Sequence, residues 1–465
     1  MRILFFTPRW VLRHFDNVVV ELAGRGHEVV IAMTHQRLPK RMRLQPGVRR
    51  ELYDDRPDRD RAQAVDLLRR TRDYVWYLSG EQDVATLNRR RALDALVQGA
   101  SQKAREAEPS WPDPIVAMPP DAQATIDAAL GEIDSRIPPD REMVELIRRL
   151  RPDAVLVSPL VHRRYRQTEA VKAARELGVP SGLLVRSWDN LSSKGRIHVA
   201  PDRIFVWNDV QKREAVELHG IDPESVVATG APHWDGFFTL RPAMQRAEFC
   251  AMHGFDPDLP IVLYLGSTKD IAPNEIPLVE RWLEAVRSAP GPLGDANVLV
   301  RWHPGEAERY RDWSPGAERV STSGSLQRGG PDLYEDLHHS GAAVGLNTTA
   351  QIEASILGKP VYTFSGGDLA PGQQGSRHFY YLLKDHDGAV AYAETLAEHV
   401  VQLERGVAGD FDGDAIRRFC ESFVRPRGLD RPVAPIVADE VVNLAAAGRR
   451  PGRRLRLRLS RRAAA

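Results

Sequence analysis

The chain has 465 residues, with 64 Lys and Arg against 63 Asp and Glu, a net charge of +1 and a mean hydropathy of −0.38. With 42% hydrophobic residues it can build packed cores, which excludes a wholly disordered chain and a polytopic membrane protein. The length suits two or three domains and excludes one small module.

The opening MRILFF is an apolar run interrupted by Thr7, Pro8 and Arg9, too short for a signal peptide, and no run of eighteen apolar residues follows. Neither secretion nor membrane spanning is expected. A second apolar run, EVVIAM, covers 28–33; between them Val18, Val19, Leu22 and Ala23 recur at helical spacing before Gly26, which predicts a β-α-β opening. From 37 to 150 the chain turns Arg/Asp-rich and proline-punctuated, as in RRELYDDRPDRDR and AEPSWPDPIVAMPPD. This reads as an insertion of exposed helices and loops with no legible function.

Regular alternation resumes with DAVLVS (153–158), a helix from Gln167 to Leu177, SGLLVRS (181–187), DRIFVWN (202–208), a helix through Lys212 to Leu218, and VVATGAP (226–232). Charged sequence near 236–260 precedes a second series: IVLYLGS (261–267), a helix near 275–287, NVLVRWHP (297–304), a helix near 332–340, AAVGLN (342–347), a helix from Thr349 to Leu357, and KPVYTF (359–364). Continuous apolar strands alternating with helices predict parallel sheets covered on both faces. The expected fold class is therefore α/β: an N-terminal domain over 1–235 carrying the insertion, a C-terminal domain over 236–425, a crossover or final helix over 426–448, and a tail over 449–465. That tail holds eight arginines and no acid, leaving 56 basic against 63 acidic residues, net −7, for 1–448. It reads as a solvated end or as a tether to an anionic membrane surface, at about 1 kcal/mol per basic residue near the lipid. No helix-turn-helix, RRM or zinc-finger signature accompanies it, so nucleic acid is not an expected partner. Cys250 and Cys420 form no CxxC or Cys/His pattern, so neither a disulfide framework nor a structural zinc site is supported, and a reducing cytoplasm fits.

Ligands of open parallel sheets bind beyond the carboxyl ends of the strands. Three segments of the second series end strands with polar residues. Gly266-Ser267-Thr268-Lys269 offers close backbone approach, two hydroxyls and a lysine for phosphate, or simply a glycine turn. His303, in Arg301-Trp302-His303-Pro304, is a ligand contact or a structural histidine. Asn347, Thr348 and Thr349 stand at a strand-to-helix junction, where they can cap the helix or receive an anion. Glu353, one turn into that helix, suits ribose hydroxyls.

These residues resemble the nucleotide-sugar glycosyltransferases of the GT-B fold, through TTAQIEASILGKPV, RWHP, GSTK and VVATGAPHWDGF. Within them the likeness is to the CDP-glycerol glycerophosphotransferase and bacterial surface-polysaccharide group, while SWDNLSSKG with VWNDVQKREAVELHG resembles a bacterial glycosyltransferase-like group. The likeness spans roughly 1–35 and 153–425. It implies two Rossmann-like domains facing a cleft, His303 and Pro304 on the nucleotide, Thr348 and Thr349 on donor phosphates, and Glu353 on ribose. It also implies that the N-terminal half receives the acceptor and that the last helices return to pack on it. Asn-Thr-Thr stands where related epimerases carry Ser-Gly-Gly, and no catalytic-acid signature is evident in the N-terminal half.

Sugar transfer requires stabilisation of a departing phosphate, which amides at 348–350 and Lys269 can supply, and an oxocarbenium-like transition state. No DxD pair is placed for a cation, and Asp412-Gly413-Asp414 reads as a surface loop, so no metal or other cofactor is expected. An inverting reaction needs a base, for which His14 and Asp189 are the candidates. His14 also reads as a helix-entry residue later than the histidine of inverting relatives, Asp189 as a turn residue, and Trp188 as a sugar platform or core; a retaining reaction would need no such base. The expected activity is transfer of a sugar or polyol phosphate from a nucleotide-sugar or CDP-polyol donor to a cell-envelope glycan or lipid-linked acceptor, in the cytoplasm or peripherally at the inner membrane face. The alternatives are a non-hydrolysing nucleotide-sugar 2-epimerase and a non-catalytic scaffold of the same fold.

Overall fold

The computed structural model describes all residues except 35–37, 39–41, 43–44, 54–58, 79–85, 100–112, 162–165, 307, 325–330 and 449–465. The arginine-rich segment 449–465 therefore lies outside the described residues.

Two parallel sheets form the molecule. The first joins β1 (Arg2–Phe6), β2 (Glu28–Met33), β3 (Val48–Leu52), β4 (Ala154–Val157), β5 (Ser181–Leu184), β6 (Arg203–Val206) and β7 (Val226–Ala228) in the order β3-β2-β1-β4-β5-β6-β7. The second joins β8 (Ile261–Leu265), β9 (Asn297–Arg301), β10 (Val320–Ser323), β11 (Ala342–Gly345), β12 (Val361–Phe364) and β13 (Val390–Ala393) in the order β10-β9-β8-β11-β12-β13. The two-domain α/β expectation holds. The strands are apolar on both faces because each sheet is covered on both: Leu4 and Phe6 of β1 enter one core, Ile3 and Phe5 the other. In β8, Ile261, Leu263 and Leu265 likewise part from Val262 and Tyr264. Strand order reverses beside β1 and beside β8, so the loops after β1, β4, β8 and β11 flank the switch points where such sheets receive ligands.

Three strands were not expected from sequence. β3 lies within the segment read as loops and exposed helices, yet pairs in register with β2, Val29 opposite Val48 and Met33 opposite Leu52. Its sequence VRREL hides the strand period because an edge strand is protected by charge. Arg49 pairs with Glu28 at 2.6 Å and Glu51 with Arg149 at 2.7 Å. β10, VSTS, and β13, VAYA, are short outer strands with similarly weak apolar signals.

The insertion helices are also not simply exposed. Tyr74, Tyr77, Leu78, Ala92 and Leu96, from the helices Arg59–Leu78 and Thr86–Gly99, form a small core. Arg69 joins Asp134 at 2.9 Å and Glu169, on the helix Gln167–Glu176, at 2.9 Å, so charged residues dock the insertion on the first domain. Composition cannot separate such paired charges from a solvated face, which is why the segment read as surface.

The final helix, Val433–Gly448, packs on the first sheet, its Val437, Val441 and Leu444 sharing one core with Ile3, Phe5 and Val19. Asp235, where the chain leaves that sheet, accepts hydrogen bonds from the N–H groups of Val433 (2.9 Å) and Ala434 (2.8 Å) and pairs with buried Arg425 at 2.6 Å. Gly230 beside this junction has φ +105°, and a Cβ there would lie 2.7 Å from Val433, so the crossing requires glycine. Among the described residues no helix is long and apolar enough to cross a membrane.

Replacing Asp235 with Ala strands a buried guanidinium and uncaps the final helix, and should cost about 3 kcal/mol, read as a lower urea midpoint. Asp235→Asn, which still accepts from Val433 and Ala434, should cost less.

Candidate active site

The carboxyl ends of both sheets line one cleft of about 590 Å³, a volume suited to a small-molecule ligand. Its C-terminal wall begins after β8. The Gly266 N–H donates to the Arg301 carbonyl at 2.8 Å, and a Cβ at 266 would sit 3.1 Å from both that oxygen and the His303 nitrogen. Glycine is therefore required by the approach of β8 to β9. Gly266 and Thr268 line the cleft, but Ser267 and Lys269 do not. Ser267 turns inward, its N–H donating to Glu275 Oε2 at 2.8 Å, while exposed Lys269 donates its backbone N–H to Glu306 at 3.3 Å. Lys269 is therefore not among the residues lining the cleft, although Asp270 and Ile271, which follow it, are.

Glu275 was not singled out in the sequence, where it resembles any acid entering a helix. It is fully buried and also accepts from the Tyr264 hydroxyl at 3.1 Å. Burial pushes its carboxyl up to about 7, against the opposing pull of the Ser267 N–H and Tyr264 hydroxyl.

His303 and Pro304 follow β9 into the cleft, with His303 Nδ1 accepting from the Gly305 N–H at 3.1 Å. Buried Arg301 is held by Asp336 at 2.5 Å. After β11, Asn347 donates through Nδ2 to the Gln373 carbonyl at 3.0 Å. The expected side-chain capping by Thr348 or Thr349 is absent from the helix Ala350–Ile356. Gln351 braces the turn before the helix, its Oε1 accepting from the Thr348 N–H at 3.0 Å and its Nε2 donating to the Gly345 carbonyl at 3.0 Å. Thr349 Oγ1 instead accepts from Trp188 Nε1 of the opposite domain at 3.3 Å. Asn347, Thr348, Thr349 and Glu353 all line the cleft. Glu353 Oε1 accepts from Trp234 Nε1 at 3.2 Å, and burial lifts this carboxyl to about 7 although Trp234 and Arg301 favour its charge.

The N-terminal wall carries both expected bases. His14, in the turn after β1, lies edge-on to His233 with ring centroids 5.1 Å apart. His233 is pushed down to about 3 by burial, with Arg186 and Arg13 adding to the effect, and so stays neutral. Asp189 meets Lys194 at 2.9 Å. Burial alone would raise its carboxyl, but Lys194, His378 and Arg186 outweigh that and hold it well below the usual carboxylate range. Asp189 is thus a fixed negative charge and a weak base. Arg13, Arg91, Arg186, Lys194, His233, Trp234 and His378 also line the cleft. They were not nominated from the sequence, although His233 and Trp234 lay in the quoted GAPHWDGF segment and Lys194 in SWDNLSSKG. Among the described residues no group of three or more His, Cys, Asp or Glu side chains is arranged to hold a metal ion.

No protein-family model matches the chain. Over 145 residues it is 27% identical to the D-inositol 3-phosphate glycosyltransferase of Kineococcus radiotolerans, a match covering 30% of this chain and 31% of that relative. The chain thus matches under a third of that curated relative's length. A glycosyltransferase from Rickettsia africae superposes with a TM-score of 0.53 at 11% identity, covering 97% of this chain and 99% of the other. A UDP-N-acetylglucosamine 2-epimerase superposes with a TM-score of 0.51 at 15% identity, covering 97% of each. The chain has the two-domain GT-B fold that these structures share.

Burial also raises Glu214, to about 8; its Oε1 accepts from the Tyr381 hydroxyl of the other domain at 3.1 Å. Glu214, Glu275 and Glu353 hold protons in the folded chain that the unfolded chain releases above its ordinary value of 4.5. Stability should therefore fall as pH rises from about 5 to 8, seen as a declining Tm, and Glu214→Gln should flatten the upper part of that decline. A Tm that rises across this window would contradict the assignment.

Proposed function

We propose that the chain is a glycosyltransferase, moving a sugar or polyol phosphate from a nucleotide-activated donor to a cell-envelope glycan or lipid-linked acceptor. The observation that carries this reading is the convergence of Gly266, Thr268, His303, the Asn347–Thr349 turn and Glu353 on one wall of the cleft, opposite His14 and Asp189. The GT-B fold, and the glycosyltransferase and epimerase names of the proteins it resembles, support it.

In this reading the donor's phosphates sit against the Thr349–Ala350 backbone, beside Thr268 and within the positive field of Arg13, Arg186 and Arg301, and Glu353 accepts from the ribose hydroxyls. The acceptor oxygen forms its bond to the sugar carbon as the bond from that carbon to phosphate breaks, and its proton passes to a base on the facing wall. His14 suits that role better than Asp189, whose carboxyl is held too far below neutrality to take a proton efficiently. The arrangement calls on amides and guanidinium groups for the leaving phosphate, so metal independence is part of the proposal. The tail 449–465 would hold the enzyme at an anionic inner-membrane surface. Truncation after Gly448 should shift the protein from the membrane to the soluble fraction.

Calorimetric titration with UDP, CDP, CMP and GDP tests the donor site: at least one should bind, with EDTA making no difference, and Glu353→Ala should weaken it by about tenfold or more. Binding by none of the four removes the proposal. With a turnover assay, His14→Ala should lower kcat by about 100-fold or more. A second reading, a nucleotide-sugar 2-epimerase, is favoured by the near-neutral Glu353 carboxyl inside the cleft, which suits proton transfer at a sugar carbon. Incubation with donor and no acceptor separates the two, because epimerised sugar appears only if the second reading holds.

A further inference from the structure

One end of the cleft is built from both domains and from the insertion. Trp188 and His378 pack edge to face along it, ring centroids 4.7 Å apart and nearly perpendicular. Beside them stand two ion pairs. Lys194 Nζ lies 2.9 Å from Asp189 Oδ2, and Arg91 Nη2, from the insertion helix Thr86–Gly99, lies 2.6 Å from Asp270 Oδ2 of the C-terminal domain. All six residues line the cavity. The Trp188 ring is fixed in place by its hydrogen bond to Thr349, so this end directly adjoins the Asn347–Thr349 turn.

Arg91 and Lys194 are each matched by a carboxylate, so the two pairs add no net charge of their own to attract a phosphate. His378 adds none, because burial pushes its imidazole down to about 4. The Asp189 carboxylate, fixed in its ionised form, would repel an anion entering beside it. A hydroxyl group meets no such penalty: it donates to a carboxylate and accepts from the neighbouring ammonium or guanidinium at once. The Arg91–Asp270 pair is also partly solvated, with side-chain exposures of 33% and 52%, so its mutual hold is weak enough to admit a ligand.

We infer that this end binds an uncharged, polyhydroxylated moiety of the acceptor, a sugar or polyol, with Arg91 bringing the insertion into acceptor recognition. The inference rests on the glycosyl-transfer reading and adds to it the acceptor's chemical class and the insertion's role. The two aromatic rings bound the non-polar flank of such a ligand, and the paired charges supply alternating acceptors and donors along the other.

The test uses the full chain, with and without saturating UDP, and three probe pairs: glucose and glucose 6-phosphate, mannose and mannose 6-phosphate, glycerol and glycerol 3-phosphate. Affinities come from saturation-transfer NMR. The uncharged member of at least one pair should bind about tenfold more tightly than its phosphate. Asp270→Asn removes one carboxylate at an exposed position and should shift that ratio toward the phosphate by about tenfold, leaving UDP affinity within about twofold. Tighter binding of the phosphates, no binding of any uncharged probe, or a ratio untouched by Asp270→Asn would each overturn the inference. Failure of UDP to bind counts against the donor site instead, since the probe ratio is also read without nucleotide.

Discussion

Three segments distant in sequence meet on the Asp235 carboxylate: the exit from the first sheet, Arg425 at the end of the second domain, and the first amides of the final helix. The contact ties the end of the C-terminal domain back to the N-terminal one, so the chain crosses between them twice rather than once. A second crossing restricts how the domains can swing and keeps the carboxyl ends of both sheets opposed. Arg425 stacks over Phe238 at 3.6 Å, which leaves the guanidinium little room to find another partner.

Two tryptophans carry that constraint into the cleft. Trp188 binds Thr349, and Trp234 binds Glu353, so two donors from the N-terminal domain reach the strand-to-helix turn and the first turn of the helix it opens. The turn is therefore built by both domains although its sequence lies in one. Beneath the neighbouring loop, Glu275 gathers the Ser267 amide and the Tyr264 hydroxyl on one carboxyl. An apolar residue there would leave both donors buried without an acceptor, which explains why so costly a group is kept.

Much of the fold was legible because β1, β2, β4, β8, β9 and β11 are interior strands, apolar on both faces, and the helices between them show clear period. Three of the four edge strands escaped, β7 being the exception; β3 carries Arg49, Arg50 and Glu51, and charge that protects an edge erases the strand's signature. The insertion escaped for a related reason: Arg69 looks the same in sequence whether solvated or bound to Asp134 and Glu169. At the site, strand ends announced Gly266, Thr268, His303, Asn347, Thr348, Thr349 and Glu353, all of which line the cleft. Lys269, like Ser267, shared the motif but is not among the residues lining the cleft.

The sequence by itself determined that two buried parallel sheets would form and which strand ends would be polar, since hydrophobic period and punctuation are local properties. Tertiary structure alone decided which of those ends share a cavity, which carboxyls hold a proton near neutrality, and that Arg91 of the insertion reaches Asp270 of the other domain. Those outcomes depend on burial and on distances between residues far apart in the chain. Neither quantity exists until the domains have packed.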